Sequence, residues 1–124
     1  MNIRNALICA ALAFAPACSK SGPDALMDKM VGIMEEMGNA VDSAGGDCGK
    51  MASALEAVTT KHESELKDIK AQAEKMKGDK AQSEEMMKKY GPRIEKVMPK
   101  MMGMMKCSDD PKMKEVQKKL DGMM

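Results

Sequence analysis

Between Met98 and Met105 five of eight residues are methionine, and Cys107 follows two positions later. Thioether sulfur is a soft, uncharged donor that suits Cu(I) and Ag(I) better than harder ions. On a helix, spacings of three and four set such sulfurs on one face. Met98, Met101, Met102, Met104 and Met105 are therefore candidate soft-metal ligands, and His62, the one histidine, is a candidate addition. The same spacing also builds a buried stripe, because the flexible Met side chain fills irregular core gaps. Which use applies depends on the elements that carry these residues.

Turn signals cut the chain after residue 23 into four helical segments. The first runs from Asp24 to about Ala44 and ends at "GGDCGK"; the second runs from Lys50 to about Lys77 and ends at Gly78. The third spans Asp79 to about Lys106 with a break or bend at "YGP", and "SDDP" opens a short fourth with Pro111 in its first turn. No period-2 alternation of β-branched residues competes. The expected fold is all-α: an antiparallel up-down-up-down four-helix bundle, with segments two and three as a long central hairpin.

Projected at 100° per residue, Leu26, Met27, Met30, Ile33, Met34, Met37, Ala40, Val41 and Ala44 share an arc of roughly 140°. Asp24, Asp28, Glu35 and Asp42 lie opposite, where solvent is expected. The second segment repeats the pattern from Met51 to Met76 and places His62 on its seam, within reach of Tyr90 or Glu65 for a hydrogen bond. In the third, Met87, Met98, Met101 and Met105 project within about 40° of Ile94, with Met86, Met102 and Met104 near its flanks. This projection favours a methionine core stripe, widened at the edges where Met102 and Met104 meet solvent.

The leader "MNIRNALICAALAFAPACSK" has Arg4, an apolar run from Ala6 to Ala15, and small residues up to Cys18. That run is shorter than the about 20 residues a membrane span needs. It resembles a bacterial lipoprotein signal, with "APAC" at the lipobox and Ala15 where Leu is usual. The resemblance implies a signal peptide at 1–17, lipidation of Cys18, a tether over 18–23 and a helical domain over 24–124. Its partner would then be a membrane reached through the N-terminal lipid, facing the periplasm or exterior. Ser19 after that cysteine resembles outer-membrane sorting if the cell is Gram-negative. Cleavage before Cys18 by the ordinary signal peptidase remains open, and gives a released protein.

Cys9 goes with the leader, so a lipidated Cys18 leaves Cys48 and Cys107 as an even pair for a disulfide in an oxidising compartment. The expected topology puts both at one end of the bundle, 30 residues before and 29 after Gly78. Without the leader, basic and acidic residues balance, and no basic patch interleaved with aromatics suggests nucleic acid. The far end of segments two and three, with Ile69, Ala73, Met76, Met86 and Met87, outruns its neighbours. An apolar patch there is a candidate surface for a protein partner or self-association.

Enzyme signatures are missing: there is no nucleophile elbow, phosphate loop or Cys-x-x-Cys motif, and one histidine cannot supply a di-iron bundle. Short-looped helices, export and a Met on the first helix are similar to cytochrome b562. That family takes its histidine from the last helix, whereas His62 is on the second, and haem is not expected. The functional expectation is a non-catalytic, lipid-anchored envelope protein with a structural or interaction role and no cofactor. Two alternatives stay open. The clustered methionines bind Cu(I) or Ag(I), as in the methionine-rich motifs of exported copper-handling proteins that they resemble, or they absorb oxidants as sacrificial thioethers.

Overall fold

The computed structural model describes residues 22–123. The leader and Cys18 therefore lie outside the described residues, as does Met124. Within them the protein is all-α and contains no strand. The helices are α1 (Pro23–Ser43), α2 (Cys48–Lys61), α3 (Glu63–Lys75), α4 (Lys80–Met102) and α5 (Pro111–Met123), with a 3₁₀ segment at Gly103–Cys107 between the last two.

Local chemistry sets most of the boundaries. Pro23 and Pro111 open their helices where a missing N–H costs nothing. The Asp47 carboxylate accepts from Lys50 N at 2.9 Å and Asp79 from Gln82 N at 3.1 Å, capping α2 and α4. Asp110 accepts from Lys112 N and Met113 N at the start of α5. Gly45, Gly46 and Gly78 adopt positive φ at the turns that end α1 and α3.

Two expectations about helix continuity reverse. The second segment is interrupted at His62, which closes α2 and opens α3 with φ −105° and ψ 14°. The third runs through Gly91 and Pro92 without a break. Pro92 and Pro99 each deprive the carbonyl four residues back of its donor. Those carbonyls belong to Lys88 and Glu95, both exposed residues, and α4 continues through both prolines.

Leu26, Ile33, Met37 and Val41 of α1 meet Met51 and Leu55 of α2, Leu66 and Ile69 of α3, and Met113, Val116 and Leu120 of α5 in one core. Ten of the twelve Leu, Ile and Val residues in 22–123 are buried, but only three of the fifteen methionines are: Met37, Met51 and Met113. The expected methionine-packed core is therefore an aliphatic core with methionine around its margin.

α4 packs mainly on α1 rather than on α3, its neighbour in sequence. The contacts run in the same direction along both helices: Asp24 with Lys89, Asp28 and Glu35 with Arg93, and Asn39 with Lys100. The two helices are thus parallel, and α4 makes its main seam with α1. Gly38 makes close approach possible, since a Cβ there would sit 3.3 Å from Val97 and Lys100 side-chain atoms. The acidic row on α1, expected to face solvent, is the polar half of this seam.

Cys48 and Cys107 meet with Cα atoms 5.4 Å apart and sulfurs at bonding distance. The bond fastens the α1–α2 turn to the 3₁₀ segment, and closing a loop of this length contributes about 4 kcal/mol by restricting the unfolded chain. No helix of the described residues is long and apolar enough to cross a membrane.

Candidate functional site

All five residues expected at the far end come together. Ile69, Ala73 and Met76 of α3 and Met86 and Met87 of α4 line one cavity of about 230 Å³. The start of α1 forms its third wall with Pro23, Leu26, Met27 and Met30. The end is therefore partly covered, because α1 begins beside the α3–α4 turn. Ile69 is buried in the floor while Met87 is 57% exposed, so the apolar lining continues onto the surface. Asp79, Gln82 and Ser83 supply the polar edge.

The methionines of α4 divide into two sets. Met101 and Met104 pack against the core, whereas Met98, Met102 and Met105 are 52%, 61% and 71% exposed. The expected core stripe centred on Ile94 is thus rotated: Tyr90 and Val97 take the buried positions, and Ile94 is only half-buried. The cause is the α1 seam, which draws the side of α4 carrying Tyr90, Arg93 and Val97 inward. The other half of the apolar arc then faces out. Met102 is at the exposed edge as expected, but Met104 is not.

His62 stands apart from this cluster. Its ring lies at the α2–α3 junction, with Nε2 3.1 Å from Glu36 Oε2 and Nδ1 3.1 Å from Glu65 Oε2. Glu65 is one of its two expected partners. Tyr90 is not: its hydroxyl donates to the Asp24 carbonyl and carboxylate, both at 3.0 Å. The Glu36 carboxyl is held below its ordinary value by the His62 hydrogen bond and then by Lys61, which reaches it at 3.0 Å. Both ring nitrogens thus already have carboxylate partners. No group of three or more His, Cys, Asp or Glu among the described residues is placed to hold a metal ion.

No family model, curated protein or solved structure matches this chain.

Arg93 is the positioning residue that sequence reasoning missed. Its Nε and Nη2 donate to the two Glu35 oxygens at 2.9 and 2.8 Å, and its Nη1 donates to Asp28 at 2.7 Å. These bonds lower the Glu35 pKa and raise that of Arg93. Lys89, one turn earlier, has its pKa raised chiefly by its hydrogen bond to Asp24. The Tyr90 hydroxyl is pushed up first by burial and then by its bond to Asp24. Together they set the rotation of α4 and hence which methionines face outward. A signal existed: acids at 24, 28 and 35 have the same spacing as bases at 89, 93 and 100.

Proposed function

We propose that this is an exported, non-catalytic interaction domain, held at an envelope membrane by a lipid on Cys18, that meets a protein partner through its end cavity. The observation that carries the reading is the convergence of Ile69, Ala73, Met76, Met86 and Met87 with the start of α1 around one apolar opening. Pro23, five residues after Cys18 in the sequence, lines that opening. In this reading a lipid so close in sequence would keep the opening near the membrane, and the partner is one that approaches the membrane. Flexible thioethers suit such a surface because they repack around different side chains.

In this reading the chain forms four rods alternating in direction, α2 and α3 being one rod bent at His62. Two features support the alternation: the Cys48–Cys107 pair at one end, and the meeting of α1, α3 and α4 at the other. The test has two parts. Incorporation of labelled palmitate that disappears in Cys18→Ser would support the anchor, and a wild-type protein that takes up no label would remove it. A photo-crosslinking side chain at Ala73 should give a discrete protein adduct in intact cells that the same group at Ser108 does not. Equal, diffuse labelling from both positions would remove the cavity from the reading.

A further inference from the structure

The surface of the described protein exposes large apolar side chains of one kind only. Met87, Met98, Met102 and Met105 are more than half exposed, whereas every Leu, Ile and Val of the described residues is buried or, at Val58 and Ile94, half-buried. A face selected only for apolar contact would have no reason to avoid aliphatic side chains. What these positions share, and the excluded residue types lack, is sulfur.

Three of the four belong together. Met98 and Met102 are four residues apart, and Met102 and Met105 three, so their Cβ atoms follow one another at about 5–6 Å on one face. Each thioether lies at the end of a flexible side chain, which gives the sulfurs the freedom to converge on an ion beside Met102. Met87 lies at the opposite end of α4, beside the cavity.

The backbone beneath them is fixed. Val97 is buried against α1, Lys100 Nζ donates to Asn39 at 2.8 Å, and Gly103 lies so close to Val41 that a Cβ would come within 2.8 Å of it. Cys107, two residues beyond Met105, is tied to Cys48. Such a platform lowers the ordering cost of binding to that of the methionine side chains themselves. The donors are neutral and soft, which suits a soft monovalent cation and offers little to Mg²⁺, Ca²⁺ or Zn²⁺.

We infer that Met98, Met102 and Met105 form a solvent-facing site for a soft monovalent metal ion, Cu(I) or its analogue Ag(I), with three thioether donors. Met101 and Met104 are excluded because they pack on the core, and His62 because two carboxylates occupy its ring. The site is independent of the end cavity and of the lipid, and it would stand if either were disproved.

The experiment is an anaerobic Cu(I) titration of the purified protein against a chromogenic Cu(I) chelator, paired with Ag(I) titration of protein carrying ¹³C-methyl methionine. The expected result is binding of about one Cu(I) per chain, with Ag(I) shifting the methyl signals of Met98, Met102 and Met105. Met98→Leu, Met102→Leu and Met105→Leu should each weaken binding by about tenfold or more, since even changes that merely support a metal's donors cost that much. Met87→Leu should leave it unchanged. Circular dichroism of the Leu variants checks that the helices persist. Failure of the wild-type protein to compete with the chelator would overturn the inference. So would undiminished binding in the triple Leu variant, or binding lost in His62→Ala but kept in that variant.

Discussion

The core between α1, α2, α3 and α5 and the outer face of α4 are both apolar, but the core is mostly aliphatic with three methionines and the face is methionine. Inside stand Leu26, Ile33, Leu55, Leu66 and Leu120; outside stand Met98, Met102 and Met105. Branched aliphatics lose little rotamer freedom on burial and fill space in a defined way, which suits an interior. Methionine holds its shape less well but presents a donor atom, which suits a surface that meets something else. In this chain methionine serves both places, with Met37, Met51 and Met113 in the core and Met98, Met102 and Met105 on the outer face.

The comparison can be broken hardest at the end that fastens both regions. Replacing Cys48 and Cys107 with Ala should lower unfolding free energy by about 4 kcal/mol, measured in urea. It frees the 3₁₀ segment and with it the end of the methionine face. A loss near zero would mean that the helices alone hold that end. Next comes the core itself: Leu55, with no exposed surface, should cost about 2–5 kcal/mol on change to Ala. Under the same conditions Met102→Ala should stay within about 0.5 kcal/mol. Similar losses at the two positions would abolish the distinction between core and margin.

The seam that rotates α4 comes third. Gly103→Ala puts a methyl group 2.8 Å from Val41, a core residue of α1, and should cost about 1–3 kcal/mol. The Arg93 pairs give a smaller effect that depends on pH. The Arg93 hydrogen bonds hold the Glu35 carboxyl below its ordinary value of 4.5, so their stabilisation is present above that pH and fades as the pH falls through the lowered value. Arg93→Gln should therefore shift the urea midpoint at pH 7 more than at pH 3. An equal shift at both would mean that the guanidinium acts by packing alone.

Much of this was legible in the sequence where one residue type has one job. Asp47, Asp79 and Asp110 marked helix starts, Gly45, Gly46 and Gly78 marked turns, and the five end residues do share a cavity. Rotation of α4 was not legible from periodicity, because its apolar arc is wider than one contact face can bury. Any half of that arc could have turned inward on hydrophobicity alone. The choice was made by Asp24, Asp28 and Glu35 attracting Lys89 and Arg93, an interaction between residues more than fifty positions apart. Helix continuity failed for a related reason. Pro92 reads as a break, but whether a lost backbone bond matters depends on which way its carbonyl faces.

The smallest expected effect bears most directly on what the outer face is for. Changing Met98, Met102 and Met105 together to Leu keeps apolar volume and removes only sulfur, so stability should move by less than about 0.5 kcal/mol. Dilute peroxide should convert these three to sulfoxides before Met37, Met51 or Met113, with helicity unchanged, because only the first three offer sulfur to solvent. Peptide mass mapping over time gives the order of oxidation. If Met51 and Met113 oxidise as fast as Met102, the core opens on the timescale of the experiment, and the contrast between a closed interior and a thioether margin fails. If the order holds, adding Ag(I) first should slow oxidation at Met98, Met102 and Met105 and leave Met87 unprotected. Slow oxidation at all exposed positions without Ag(I) would argue against an oxidant-absorbing role while leaving the metal site to its own titration.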